Sequence, residues 1–409
     1  MAALRFFGWK VVWAAFVIAV FGAGAGFYGP SIFLEALHTS RGWNVSAISA
    51  AITTHFLVSA VIVMYLPELH RRIPIATVTK AGVTSCGAGI ICWANAAEPW
   101  QLFPAALLTG VGWASTSSAA INAMIAPWFD RQRPKALSLA LNGASVGGVV
   151  FAPLWVLLIF YVGFAGAAFV IAVTMVLVIW PLCTLFLRPS PIGMGLAPDG
   201  QPAASGTLDS VSVGLSRAEL LCDRRFVTLS ASFALGLFAQ IGLLAHLVTR
   251  LAPELGPRGA AAALSLTTLC AIIGRTLLGW FMRENERRIA GMINFLVQSC
   301  GVLLLSIGSG PAQLVLGCIL FGLAGGNHLT LPPLIAQSEF LRRDVNTVVA
   351  LVVAINQAIM ALGPALFGIL HDTTGGYGVP FAIAALAQVV AAFILLAGRP
   401  RSGTQVAGP

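Results

Sequence analysis

Arg275 is the residue of this sequence with the clearest chemical potential. It lies in the stretch Leu269 to Arg288, LCAIIGRTLLGWFMRENERR, at the end of a long apolar run. It is the only basic residue that falls deep inside any apolar segment. A guanidinium stays charged at every accessible pH, and placing one at a bilayer centre is costly. No Asp or Glu lies within one helical turn of it in sequence, and the apolar segments offer none at mid-depth. A cation in that setting points to an anionic ligand. The competing reading is that Arg275 snorkels or pairs with backbone carbonyls. Arg283, the next basic residue, is about 12 Å further along a helix, roughly twice the reach of an arginine stem. Gly274 and Gly279 leave room for a neighbouring helix rather than for lipid.

Three more groups in apolar runs can carry a proton near neutral pH: His55, His246 and His328. His55 follows Thr53 and Thr54 halfway down its run, and is read either as a coupling site or as a histidine hydrogen-bonded inside a helix bundle. His246 lies near the end of its run, where it either faces water or serves as a gate or proton site. His328 follows Gly325-Gly326-Asn327, where a close helix approach would bring polar atoms to a pocket. Tyr28, beside Gly26, Gly29 and Pro30, is a carboxylate-binding hydroxyl or an interfacial belt tyrosine. Asn122, Asn142, Gln240, Asn356 and Gln357 are amides in apolar surroundings, which need partners wherever they sit. Of these, Gln240, Asn356 and Gln357 are retained with Arg275, Tyr28, His55, Asn327 and His328 as substrate-binding candidates. The small polar run Trp113 to Ser118, WASTSS, fits helix packing better than chemistry.

The elements that must position these groups are membrane spans. Hydrophobic residues make up 58% of the 409-residue chain and charged residues 9%, against about 25% charged in a soluble domain. Mean hydropathy is +0.90. That composition describes a polytopic, all-α membrane protein embedded in a lipid bilayer. The net charge of +9 is scattered over short loops with no basic face of interleaved aromatics, so no nucleic-acid partner is expected. Seven cysteines, among them Cys86, Cys92, Cys183, Cys270, Cys300 and Cys318, lack CxxC spacing and read as packing residues. No metal or cofactor motif is present, and there is no Walker lysine motif for ATP-driven transport.

Runs long enough to cross about 30 Å of hydrocarbon recur at Trp9–Phe33, Val45–Leu66, Ile75–Asn95, Trp100–Ile121, Ala136–Leu157, Val162–Leu187, Phe226–Leu247, Gly259–Met282, Ile289–Gly308, Gln313–Ile335, Val345–Leu370 and Val379–Gly398. The first is too long for a signal-peptide core and is read as an uncleaved span. Of the 23 Lys and Arg residues, all but Arg275 and three others (Arg41, Arg250 and Arg258) fall on one side of this topology. The positive-inside rule then places both termini in the cytoplasm, in a cell (inner) membrane. The longest connection, 188–225, is rich in Gly, Pro, Ser and Ala and reads as a cytoplasmic linker between six-span halves, 1–187 and 226–409. A shift of 211 residues carries Phe129, Arg131 and Pro153 onto Phe340, Arg342 and Pro364, as a duplicated half would. The loop charges Glu68, Arg71, Arg72, Asp130, Arg131, Arg283, Arg287 and Arg342, with Arg133, Glu284, Glu286, Arg288, Glu339, Arg343 and Asp344, are expected to anchor topology. They would latch the inward face through exposed pairs worth about 0–1 kcal/mol each.

Twelve spans in a 6+6 arrangement, a central linker and basic loops after spans two and eight resemble the major facilitator superfamily over nearly the whole chain. Several stretches resemble its monocarboxylate transporter and oxalate/formate antiporter branch. They are Gly42-Trp43-Asn44-Val45-Ser46 before Ile48-Ser49, Trp128-Phe129 before basic residues, Asn142-Gly143-Ala144-Ser145-Val146-Gly147-Gly148 with Pro153, Arg188-Pro189 with Gly195 and Pro198-Asp199-Gly200, and Gln240, His246, Gly274-Arg275 and Gly279. The resemblance implies two pseudo-symmetric six-helix bundles and alternating-access transport of small organic anions, with Arg275 gripping a carboxylate. The sequence also departs from the branch. The Asp that mammalian-type members place four residues before that arginine is Ala271 here, and the helix-eleven lysine of dicarboxylate exchangers is replaced by Asn356 and Gln357. The loop Leu66-Pro67-Glu68-Leu69-His70-Arg71-Arg72 lacks the superfamily's usual glycine-and-aspartate pattern.

The reading is a secondary transporter of small organic monoanions such as lactate, pyruvate or hydroxy acids, acting as a monomer by proton symport or anion exchange. The alternative is an efflux carrier for amphipathic compounds, indifferent to Arg275. An intramembrane enzyme is disfavoured, because the chain has no intramembrane Asp pair, HExxH or GxSxG.

Overall fold

A computed structural model describes residues 6–129, 132–187, 191–200, 217–281, 287–341 and 344–399. These residues form helices α1 (Phe7–Gly22), α2 (Gly29–Arg41), α3 (Val45–Arg72), α4 (Ile75–Asn95), α5 (Leu102–Thr116), α6 (Ser118–Ile125), α7 (Arg133–Phe186), α8 (Arg217–Cys222), α9 (Arg224–Phe281), α10 (Arg287–Ile307), α11 (Pro311–Gly325), α12 (Leu331–Glu339), α13 (Val345–Met360), α14 (Gly363–Thr374) and α15 (Gly378–Ala397). Much of the expected linker, 188–190 and 201–216, lies outside the described residues, as do Asp130, Arg131, Arg283, Glu284, Glu286, Arg342 and Arg343.

Among the described residues, nine helices are long and apolar enough to cross a membrane. Two of them, of 52 and 55 residues, each hold two expected spans. The join inside α7 is Gly163 (φ 73°, ψ 169°) and the join inside α9 is Gly256 (φ 68°, ψ 167°). Only glycine enters that region without strain, so each long helix reverses where the sequence supplies one. The fourth expected span is divided at Ser117, whose extended backbone (ψ 170°) separates α5 from α6 and leaves both pieces too short to qualify. Span ten is interrupted likewise by a 3₁₀ turn, Gly326–Leu329, between α11 and α12. The 211-residue shift that aligns the two halves places Ser117 on His328, inside that turn.

The first span extends beyond its expected end at Phe33, with α2 running on to Arg41 and stopping at Gly42 (φ 66°). Its last turn is polar, so hydropathy alone cannot reveal it. Between α1 and α2 the chain widens into a π turn, Ala23–Phe27, closed by a 2.9 Å bond from Tyr28 N–H to the Ala23 carbonyl.

By contacts the chain forms two compact units. The first comprises Met1–Asp209, Leu244–Leu269 and Pro364–Thr373. Within it α1 packs on α7, and α4 on both α5 and α7. Small residues allow these approaches: a Cβ on Gly143 or Gly147 would strike the α1 carbonyls of Phe16 or Val20, and one on Gly112 would strike Cys86. The second unit comprises Ser210–Leu243, Cys270–Gly363 and Thr374–Pro409. Its core gathers Phe226, Phe233, Phe295, Leu331, Ile335, Val348 and Leu395. Large apolar side chains such as Leu177, Ile307 and Phe393 stand exposed, as lipid-facing residues do.

Candidate functional site

In the second unit the polar groups converge on the break in span ten. A helix that stops at Gly325 leaves its last carbonyls without intrahelical donors, and side chains take them. Gln240 Nε2 donates to the Gly325 carbonyl at 3.3 Å, and Asn327 Nδ2 donates to the Leu323 carbonyl at 3.3 Å. Arg275 Nε donates to the Gly326 carbonyl at 3.2 Å. The half-buried Arg275 therefore directs one of its five N–H donors to a helix break, the carbonyl pairing that the sequence left open beside a ligand. Glycines bring the partners together. A Cβ on Gly274 would strike the Leu323 carbonyl, and one on Gly326 would strike the Ala271 carbonyl.

Two amide pairs extend this cluster. Gln298 Nε2 donates to Gln240 Oε1 at 3.1 Å, and Asn327 Nδ2 to Asn294 Oδ1 at 2.8 Å. His328, 1% exposed, packs edge-on against Phe233 and Phe295, with centroids 5.9 and 5.1 Å away, and those two rings touch each other at 5.2 Å. The Ala324 and Gly325 carbonyls lie alongside its ring, but neither nitrogen makes a well-formed hydrogen bond. Asn356 is buried on α13 with its Oδ1 unbonded, and Gln357 beside it is half-buried.

In the first unit His55 is a fully bonded histidine. Its Nε2 donates to the Gly26 carbonyl at 2.9 Å, and its Nδ1 accepts from the Thr109 hydroxyl at 2.9 Å. The π turn supplies that carbonyl, and its other glycine carbonyl, Gly24, accepts from Trp155 Nε1 at 3.3 Å. Tyr28 is half-buried, its ring against Gly148 and 5.0 Å from the Phe27 centroid.

His246 does not face water. It is 0% exposed, and its Nε2 lies 3.0 Å from the Pro364 carbonyl and 3.3 Å from Ser49 Oγ. The expectation of exposure came from ending its span at Leu247, whereas α9 continues as helix to the break at Gly256. Two further bonds join α3 to the 364–373 segment. Ala365 N–H donates to Thr53 Oγ1 at 2.9 Å, and Ser46 N–H donates to Asp372 Oδ2 at 2.9 Å. Asp372 thus caps the first turn of α3, whose own N-cap, Asn44, makes no side-chain bond.

Among the loop charges, Glu68 pairs with Arg71 and Arg72 of its own helix, both arginines being 77% exposed. Arg287 Nη1 donates to the Leu334 carbonyl. Arg288 and Glu339 correct the expectation of exposed pairs. They are 3% and 8% exposed and bonded at 2.6 Å, and Arg288 also donates to Thr228 Oγ1 and to the carbonyls of Leu395 and Arg225. These residues flank loops in sequence, but the ends of α9, α10, α12 and α15 fold over them.

A model of the Major Facilitator Superfamily matches residues 14–342. The chain belongs to this superfamily. It is a multi-pass membrane protein, and the superfamily fold is twelve helices in two six-helix bundles. Monocarboxylate transporter 13 of Bos taurus is 28% identical over 302 residues, 71% of this chain and 64% of that protein. Monocarboxylate transporter 12-B of Danio rerio is 23% identical over 421 residues, 95% of this chain and 86% of that one. Among solved structures, the nucleoside transporter NupG matches with a TM-score of 0.69 at 13% identity, over 96% of this chain and 98% of that one. A bacterial homolog of the human lysosomal transporter Spinster, inward-facing and unoccupied, matches at 0.68 and 14%, over 97% and 96%. At such identities these structures share the fold alone.

Sequence reasoning gave no site role to Asp372, Ser49 or Thr53 in this superfamily member, nor to Asn294, Gln298 and Gln388, the last of which donates its Nε2 to the Gly236 carbonyl at 3.0 Å. The signal for the last three was a glutamine or asparagine in an otherwise apolar run, the criterion already applied to Gln240. For Asp372 no local signal exists, because its partner is 326 residues away.

Proposed function

We propose that this transporter carries small organic monoanions, monocarboxylates such as lactate, pyruvate or hydroxy acids, by alternating access with proton symport or anion exchange. The observation that carries the reading is Arg275, a permanent cation half-buried within a span and steered by the Gly326 carbonyl, in a chain similar to proteins named monocarboxylate transporters. A carboxylate brings a full negative charge and a bidentate match to the guanidinium fork, which a single carbonyl lacks, and so outcompetes a carbonyl for it. One fixed positive charge suits a monoanion. Gln240, Asn327, Asn356 and Gln357 are the amides assigned to the substrate's remaining polar atoms. The division into halves 1–187 and 226–409 about the 188–225 linker belongs to the same reading. So do cytoplasmic termini in an inner membrane, supported by the one-sided Lys and Arg distribution.

Counterflow in liposomes tests it. The full chain should exchange [¹⁴C]pyruvate or L-[¹⁴C]lactate for the unlabelled anion. Arg275→Gln should slow that exchange by roughly ten- to hundredfold, the worth of a hydrogen bond to a charged group. Arg275→Lys should not rescue it, because a lysine lacks the planar fork. Wild-type rates in both variants would overturn the reading and favour the efflux carrier.

A further inference from the structure

The three buried histidines are not equivalent. His55 spends both ring nitrogens, on the Gly26 carbonyl and the Thr109 hydroxyl. His246 Nε2 is held by Pro364 and Ser49. His328 alone of the three is fully buried with neither nitrogen in a formed hydrogen bond, although two carbonyls lie beside its ring. Those carbonyls, Ala324 and Gly325, are the last of α11, the negative end of a helix, where a cationic side chain is favoured. A proton added to either ring nitrogen would thus find an acceptor and a favourable dipole.

The groups around it leave that role to His328. From α9 it meets Phe233 and Gly236, and from α10 Phe295, with Asn294 and Gln298 on the neighbouring turns. From α15, Gln388 Nε2 binds the Gly236 carbonyl at 3.0 Å. None of these is titratable. Neither α15 nor α11 contains a charged residue, and the one titratable group in α11 is the buried thiol of Cys318. The Arg288–Glu339 pair lies about 10 Å along α10 from Phe295. The charge tied to this turn is Arg275, through the Gly326 carbonyl, two residues before His328.

We propose that His328 is the site of a coupled proton, and that the turn Gly325–His328 links its protonation to anion binding at Arg275. This deepens the monoanion-transport reading and rests on it. When a carboxylate draws the guanidinium away, the Gly326 carbonyl loses that donor, while Gln240 of α9 still holds the Gly325 carbonyl beside it. The imidazolium then supplies positive charge and a replacement N–H at the same turn. The imidazole takes one proton from water on one side of the membrane and returns it to water on the other, and no other bond is made or broken. Transport is therefore proton–anion symport rather than obligatory exchange.

The test uses the full chain in liposomes with [¹⁴C]pyruvate, measuring counterflow without a pH gradient and accumulation driven by an alkaline interior. Wild type should do both. His328→Gln and His328→Phe, the latter keeping an aromatic ring against Phe233 and Phe295, should lose accumulation while exchange persists. In detergent, the apparent Kd of wild type for pyruvate should rise as pH passes through the histidine's pKa and level off above it, because proton and anion binding are reciprocally linked. In both variants it should be independent of pH. Accumulation in both variants, or wild-type exchange that ignores the gradient, would overturn the proposal and leave the transport reading standing. Loss of exchange together with accumulation in both variants would mark His328 as structural and overturn it too. No exchange in wild type would sink the transport reading and this inference with it.

Discussion

Arg275 and His328 show how differently a sequence reports two buried polar residues. An arginine within an apolar run is conspicuous, because only a few physical arrangements tolerate it. A histidine there is ambiguous, since a satisfied imidazole and a working one have the same sequence. What separates His55 from His328 is the π turn that hands Gly26 to the first and the unformed bonds around the second. Asp223 offers a test at the same scale. Its Oδ1 accepts the Arg225 N–H at 2.7 Å at the start of α9, and its carboxylate pairs with that guanidinium. Burial pushes its pKa up, but the bonds from Arg225 and the Phe226 N–H outweigh this and hold it below the ordinary value. A depressed pKa stabilises the fold above the unfolded value, and that contribution disappears as pH falls through the folded one. Asp223→Asn should therefore flatten the acid limb of a melting-temperature profile below about pH 4, the unperturbed range. An unchanged profile would contradict the assignment.

At the scale of elements, hydropathy located every span but none of the breaks within them. The Ser117 break, the π turn and the 326–329 turn interrupt runs that read as continuous apolar helix, because three to five residues barely change an average over twenty. Yet the π turn and the junction in span ten supply the carbonyls that His55, Gln240 and Arg275 bind. The glycines that make the approaches possible were visible, but their partners were not: Gly274 meets Leu323 and Gly326 meets Ala271 only once α9 lies beside span ten. The Arg288–Glu339 pair failed for a related reason, since proximity to a loop in sequence is not exposure. Removing one partner of a buried pair leaves an uncompensated charge, at a cost of about 3–5 kcal/mol. Glu339→Gln or Arg288→Met alone should lower the melting temperature sharply. The double variant Arg288→Met/Glu339→Leu should recover much of the loss. Strictly additive effects would show that the two do not act as a pair.

At the scale of the molecule, the 211-residue internal repeat sets the two span breaks at equivalent positions, Ser117 on His328. Within the first unit, the 364–373 segment is fastened to α3 by Asp372, Thr53 and His246. Asp372→Ala removes a helix cap worth about 0.5–2 kcal/mol. Ser46→Pro removes the same bond from the other side, in a first turn where proline is tolerated. Both should speed maleimide labelling of a Ser49→Cys reporter, and combining them should add little. Additive acceleration would mean that Ser46 and Asp372 are not partners.

The central claim is that Arg275 receives a small carboxylate, and ligand-induced thermal stabilisation tests it most directly. Purified protein would be melted with pyruvate, lactate, glycolate, oxalate and a cationic amphiphile, beside Arg275→Gln. A ligand at ten times its Kd stabilises by about 1.4 kcal/mol, enough to read in a melting curve. The account predicts stabilisation of wild type by at least one monocarboxylate and none by the cation, with the effect lost in Arg275→Gln. A monocarboxylate shift that survives in the variant, or stabilisation by the cation alone, would contradict it.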